Sequence, residues 1–292
     1  MTSEYAIVTE KIINLLESGV VPWRRPWTST ELPRNLVSKK PYRGVNFFLL
    51  SASKYVSPFW LTFRQANELG GHVRKGEEST VVVFWKVDDA KQSTEDLDNE
   101  ETDGKTRRQF LLRYYRVFNL EQCELPQTVL DKLPKTEAHE HDPIETAERI
   151  IADMPNRPEI QYTGSKAFYS SLTDRITLPP RELFTSAEEF YATALHETVH
   201  SSGSEKRLAR EGICEAAPFG SPVYSKEELV AEFGAAYLCA EAGISNEVIH
   251  NQASYVAGWL KKVRDDRKLL IHAAAQAQRA ADYILNRTSC SE

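Results

Sequence analysis

Two histidines four residues apart flank a glutamate in the run His196-Glu197-Thr198-Val199-His200. On a helix, residues at that spacing project from one face, so both imidazoles reach a single ion. Glu197 then stands on the flank, where it can take a proton from a water at that ion. Zinc lowers the pKa of such a water toward about 7, which makes hydroxide available at neutral pH. The expected cofactor is Zn2+, with another divalent ion such as Mn2+ as the alternative, and the expected catalytic base is Glu197. Catalytic zinc takes three protein ligands and leaves one position open. The longer pattern HExxHxxGxxH runs only as far as Gly203, because position 206 is Lys206. Glu228 and Glu232 are the candidates instead, four apart beside the apolar stripe Leu229, Phe233 and Ala236. Our assignment makes Glu228 the third metal ligand. Glu232, a carboxylate within an apolar run, becomes the acceptor for the other N–H of a ligand histidine. Exchange of those two roles stays open. Tyr162, Tyr169 and Tyr224 are candidate donors to a developing oxyanion.

A second concentration of chemistry lies near the start. Trp23, Arg24, Arg25 and Trp27 fall within five residues, and Lys39, Lys40, Tyr42 and Arg43 form another cluster. Trp60 lies among Tyr55, Phe59 and Phe63, while Arg74 and Lys75 precede the pair Phe84 and Trp85. Cations for the phosphates beside aromatic faces for the bases are the combination that holds single-stranded nucleic acid without sequence preference. Tryptophan and phenylalanine also build cores, so composition alone does not say which rings face a ligand.

The elements that must position these groups are legible in part. Apolar spacing over 5–17 predicts a short helix ended near Gly19, and 63–69 predicts another before Gly70 and Gly71. Val81–Val87 and Phe110–Leu120 are β-rich. The acidic stretch between them reads as a solvated loop. After a proline-bearing segment, 144–154 predicts a helix, followed by short strands around a turn at Asp174. Ser186 and Glu189 have capping-box spacing at the head of the HETVH helix. Ser225 and Glu228 repeat that spacing before a helix stopped by Gly243, and 256–285 predicts one long third helix. The fold class is α+β in two domains: a mixed α/β domain over 1–125, a linker over 126–143, and a mostly helical domain with a small sheet over 144–292.

Composition sets the outer limits. With 292 residues the chain exceeds one ordinary domain of roughly 150 residues. Apolar residues make up 41% and charged residues 27%, which excludes wholesale disorder. The net charge of −6 argues against a nucleic-acid partner until it is divided: 1–86 carry 12 basic and 7 acidic residues, a balance of +5. Cys123, Cys214, Cys239 and Cys290 form no CxxC pair, so neither a disulfide framework nor a zinc knuckle is expected. Cys214 and Cys239 are expected to be small buried groups. No apolar run approaches the roughly 20 residues that span a bilayer, and acidic residues stand where a signal peptide would be basic. The expected location is the cytoplasm, with no membrane partner.

Ordered motifs carry a resemblance to a known family. LLESGVVPWRRPW, KKPYRGVNFFLL, FWLTFRQANELGGHVRKGEEST, VVVFWK and RYYRVFNLEQCE resemble the single-stranded-DNA-binding domain of ArdC-type antirestriction proteins, which plasmid TraC-type primases share. YTGSKAFYSSLTDRITLP, LHETVH and YSKEELVAEFGAAYL are similar to the zincin-like metallopeptidase domain that completes ArdC. The resemblance implies a protein of a plasmid or other mobile element that binds incoming single-stranded DNA, and duplex DNA as a further partner, and protects it from host restriction. It also implies a metal site at His196, His200 and a glutamate of the Glu228 helix, with Glu197 as base. The resemblance leaves two alternatives open: a metalloendopeptidase whose recruited target is a host restriction-system protein, or a DNA-coating protein whose metal is purely structural.

Overall fold

The structure, a computed structural model, describes residues 4–18, 20–23, 32–88, 109–133, 143–215, 221–244, 252–266 and 268–287. The first half begins with helix α1 (Glu4–Glu17), strand β1 (Arg34–Asn35), helix α2 (Val45–Ser51) and strand β2 (Phe59–Thr62). Helix α3 (Phe63–Glu68) follows directly, then β3 (His72–Val73), β4 (Thr80–Asp88), β5 (Gln109–Asn119), β6 (Cys123–Glu124) and the single turn α4 (Gln127–Leu130). Thr62 starts α3 with a full capping box: its hydroxyl accepts the Gln65 amide and the Gln65 side chain accepts the Thr62 amide. The main sheet runs β1-β2-β5-β4, parallel between β1 and β2 and antiparallel elsewhere. β4 and β5 pair from Thr80↔Val117 to Asp88↔Gln109. The acidic stretch that joins them lies outside the described residues.

The second half contains α5 (Pro143–Ala152), β7 (Glu159–Tyr162), β8 (Phe168–Ser170), β9 (Arg175–Leu178) and α6 (Ala187–Ser202). The short α7 (Glu211–Cys214) leads to α8 (Pro222–Ala242), α9 (Gln252–Asp265) and α10 (Leu269–Ile284). Its sheet is β7-β9-β8, which leaves β8 as an edge strand beside α6. Ser186 caps α6 by accepting the Glu189 amide at 3.1 Å, whereas the Glu189 carboxylate reaches back to the Thr185 amide at 2.9 Å. The box is therefore displaced by one residue on its return arm.

Two helix expectations are corrected. α8 starts one turn before Ser225: Ser221 accepts the Tyr224 amide at 3.2 Å and Pro222 occupies the first helical position. Ser225 is buried inside the helix, and Glu228 is released from any capping duty. The long helix over 256–285 is two helices, because the Asp266 side chain accepts the Lys268 amide at 2.8 Å. A side chain that takes over a backbone donor in this way offers the chain an alternative to continuing the helix.

The core crosses the midpoint of the chain. Val8, Ile12 and Leu16 of α1, Trp23, and Phe47 and Phe48 of α2 belong to the same buried cluster as Leu229, Phe233 and Tyr237 of α8 and Leu270 and Ala274 of α10. Trp23 packs edge-on against Phe233 at 4.9 Å and Trp259 at 6.2 Å between ring centroids. Phe48 lies 4.4 Å from Phe233 and 4.9 Å from Tyr237. Arg43 pairs with Asp282 of α10, and the Gly44 amide donates to Gln278 at 3.1 Å. Part of the segment expected to link two domains belongs to the first of them: Leu133 packs with Leu36, Phe59 and Leu61. Among the described residues, no helix is long and apolar enough to cross a membrane. Cys239 is buried as expected; Cys214 is exposed, contrary to expectation.

Candidate metal centre

α6 presents His196 and His200 one turn apart, with imidazole Nε2 atoms 3.1 Å from each other. Glu228 on α8 faces both, Oε1 lying 3.6 Å from His200 Nε2 and Oε2 3.9 Å from His196 Nε2. The ligand atoms of these three residues lie within 4.8 Å of one another. Two nitrogens and a carboxylate oxygen converging on one point is a donor set that suits a divalent ion such as zinc or manganese.

The helices hold this geometry by close approach. A Cβ added to Gly234 of α8 would lie 2.8 Å from both methyl carbons of Val199, the residue before His200. Glycine thus lets α8 press against α6 where their ligands meet. On the other flank, a Cβ at Gly212 of α7 would stand 2.7 Å from the Glu227 Cβ.

Glu227 was not anticipated by sequence reasoning. It is buried and lies 3.3 Å from His200 Nδ1. Burial alone would raise its pKa, but hydrogen bonds from His200 and Arg210 outweigh that and hold it below the ordinary carboxylate range. An ionised Glu227 can only accept, so Nδ1 carries the His200 proton and Nε2 turns its lone pair to the site. Arg210, also buried, donates to Glu227 through Nε at 3.0 Å and Nη2 at 2.7 Å. Its remaining donors reach Ser202 Oγ at 2.8 Å and the Val199 carbonyl at 2.7 Å. The guanidinium thereby satisfies carbonyl and hydroxyl groups at the end of α6, where a positive charge is favoured. Glu232, expected to accept from a ligand histidine, lies half-buried one turn beyond Glu228; the carboxylate at His200 Nδ1 is Glu227. A local signal for Glu227 was its adjacency to Glu228, but no sequence pattern marks a buried arginine in a loop.

Glu197 is 7% exposed and accepts a hydrogen bond from the Tyr169 amide on β8. Burial raises its pKa first, and the charge of Glu228 adds to that against the opposing pull of His200. His200 experiences the reverse balance: burial disfavours its charge, but Glu227, Glu197 and Glu228 raise its pKa above 6.5. The pocket is therefore electronegative, as a cation site should be.

Of the three tyrosines, Tyr224 is the one at this centre. Its hydroxyl bonds to Glu228, and burial together with the Glu228 charge pushes its pKa up to about 12. The Tyr169 hydroxyl is committed to Asp174 at 2.8 Å, and Arg207 holds that same carboxylate at 2.8 Å and 3.1 Å. Tyr162 is exposed and stacks near Phe190. A cavity of about 720 Å³ lies beyond the Arg210–Glu227 pair, between α7, α8, α9 and α10, and its lining does not include His196, His200 or Glu228.

The expected DNA contacts are scattered. Trp23 and Trp60 are 0% and 1% exposed and Tyr42 is 7% exposed, so their faces are filled by the core and cannot receive a base. Arg43 is spent on Asp282. Lys39, Lys40, Arg74 and Lys75 are exposed, with Lys39 over the Phe59 ring at 5.3 Å and Arg74 paired to Glu77 at 3.0 Å. Arg24, Arg25 and Trp27 lie outside the described residues.

Comparison with known proteins matches each half of the chain to a different family model. Residues 2–118 match the model of the N-terminal domain of anti-restriction factor ArdC, and residues 145–276 match a zincin-like metallopeptidase model. Uncharacterized protein y4eC of Sinorhizobium fredii is 36% identical over 292 residues, covering 97% of this chain and 92% of that one. A protein named DNA primase TraC from Escherichia coli is 35% identical over 291 residues, 96% of this chain, but the match spans only 20% of TraC. The crystal structure of antirestriction ArdC protein from the R388 plasmid, solved metal-free, superposes with a TM-score of 0.74 at 32% identity, covering 98% of this chain and 99% of that one. Its Mn(II)-bound form gives 0.73 at 31% identity, with coverage of 99% and 100%. Matched over 98% of its length by that structure, and over residues 2–118 by the ArdC N-terminal model, the chain belongs to the ArdC antirestriction family.

Proposed function

We infer that this protein binds single-stranded DNA in the cytoplasm and protects DNA entering on a plasmid or other mobile element from host restriction, and that its metal centre is a peptidase site. The observation that carries the catalytic part is Glu197, a buried carboxylate beside His196, His200 and Glu228. A purely structural metal would need only its ligands, and an additional buried carboxylate would then be an uncompensated cost. A divalent ion held by His196 Nε2, His200 Nε2 and Glu228, with zinc our first choice, supplies Lewis acidity toward water and a scissile carbonyl when bound. Glu197 takes the proton released from water and returns it to the departing amine. Tyr224 stays protonated and stands ready to donate to a carbonyl oxygen as negative charge develops. A host restriction-system protein is the proposed peptidase target, recruited with the DNA that it attacks.

Glu197→Ala tests the assignment. It should abolish peptide hydrolysis while metal content and oligonucleotide affinity persist; unchanged hydrolysis would remove Glu197 from the reaction. If restriction protection in a recipient strain survives Glu197→Ala but disappears when Arg24, Arg25 and Lys40 are all replaced by glutamine, coating the DNA carries the function.

A further inference from the structure

Four consecutive residues of β5, Arg113, Tyr114, Tyr115 and Arg116, are all exposed. Successive residues of a strand point to opposite faces, so Arg113 and Tyr115 share one face while Tyr114 and Arg116 share the other. The pairing Val82↔Tyr115 and Phe84↔Arg113 puts Val82 and Phe84 of β4 on the face of Arg113 and Tyr115. On that face the rings form a continuous file: Tyr115 meets Phe84 at 5.6 Å, and Phe84 meets Tyr42 at 6.2 Å. Beneath them Tyr42, Leu50, Trp60, Val82 and Val117 make a small buried cluster separate from the main core. Tyr55, half-buried, packs on Trp60 at 5.9 Å, and the Lys54 ammonium lies 5.6 Å over the Tyr55 ring.

The file grades from fully buried Trp60 through half-buried Phe84 to Tyr115, which is 47% exposed. A rigid apolar foundation under an exposed ring is what a base needs for stacking, because little side-chain entropy remains to be lost. Arg113 is exposed and makes no ion pair among the described residues. The carboxylates beside Tyr55 are held within the protein. Glu77 is held by Arg74 at 3.0 Å and by Gln122 at 3.0 Å, and Glu121 accepts the amides of Val56 at 2.8 Å and Ser57 at 2.7 Å. Stacking rings with exposed cations beside them fit unpaired bases with phosphates between; a duplex hides its base faces.

We propose that the sheet face carrying Arg113, Tyr115 and Phe84 is the single-stranded-DNA site, with bases on the two rings and phosphates on Arg113 and Lys54. The proposal rests on the single-strand reading above and replaces the buried Trp23 and Trp60 as the stacking residues.

The strand supplies its own control. Tyr114 is 44% exposed, close to Tyr115, but lies on the opposite face. Fluorescence anisotropy of a labelled oligothymidylate titrated with the full-length protein should show Tyr115→Ala weakening binding about 5- to 100-fold. Tyr115→Phe should retain wild-type affinity, and Arg113→Gln should weaken binding and lower the salt slope by about one. Tyr114→Ala should bind as wild type, with all variants unfolding at the wild-type temperature. Wild-type affinity in Tyr115→Ala, or an equal loss in Tyr114→Ala, overturns the site. Failure of the wild-type protein to bind the oligonucleotide overturns the single-strand reading itself.

Discussion

Glu227 and Glu228 are neighbours in sequence that meet His200 from different sides. One residue advances a helix by about 100°, enough for Glu228 to face Nε2 while Glu227 reaches Nδ1. The inner carboxylate fixes the imidazole and the outer one completes the donor set. Glu227→Gln should lower metal affinity about 10- to 100-fold, and it also strips Arg210 of its charge partner, so the variant should unfold at a lower temperature. Titration calorimetry with Zn2+ or Mn2+ checks the first effect, and equal affinity would remove Glu227 from the site's support. Acidity should act through His200. Its pKa stands above 6.5, and an incoming ion must displace that proton. Metal affinity is therefore full above the raised value and falls as pH drops through it, with half-loss above pH 6.5; a midpoint below that value contradicts the balance of charges described here. His196, Glu197 and His200 were legible because the chemistry and the helical period coincide in five residues. Arg210 and Glu227 were not, since a contact between a loop and a helix leaves no period to read.

At the scale of elements, α8 shows how a local signal can be right in kind and wrong in place. Ser221 and Ser225 stand four apart, but only Ser225 has a glutamate three residues on, so spacing favoured the box at Ser225 and Glu228. Pro222 decides the matter, since its fixed φ suits the first helical position and it has no amide to satisfy. The break between α9 and α10 was missed for a related reason: it contains no proline or glycine, only an aspartate that captures a backbone amide. The contact of α8 with α6 depends on Gly234. Gly234→Ala forces a methyl against Val199 and should cost about 1–3 kcal/mol of stability, as overpacking does, while metal affinity falls because the Glu228-bearing helix is pushed away. Denaturant unfolding and metal titration measure the two losses. A variant with wild-type stability would mean that Val199 can yield without moving the helix.

The molecule as a whole is less divided than its sequence. The two halves differ in composition and charge, which made a boundary easy to place, but charge patterning reports surfaces. The core follows aromatic residues that carry no label for the partner they will meet. Trp23 looked like a ligand-facing residue because it stands beside two arginines; its ring is packed on Phe233 and Trp259 instead. With one buried cluster spanning both halves, calorimetry should record a single cooperative transition, raised by about 2.7 kcal/mol at a metal concentration one hundred times the dissociation constant. Two separate transitions, only one of them metal-dependent, would show that the halves fold independently.

That common core also bears on inheritance. A recombination breakpoint between the halves would leave Phe233 and Tyr237 of α8 without the Trp23, Phe47 and Phe48 that cover them. A gene carrying the metal site alone would thus inherit an exposed apolar face along with it. The TraC relative, of which this match is only 20%, nevertheless aligns across 96% of the present chain, both halves together. That match keeps together the two halves that share a core.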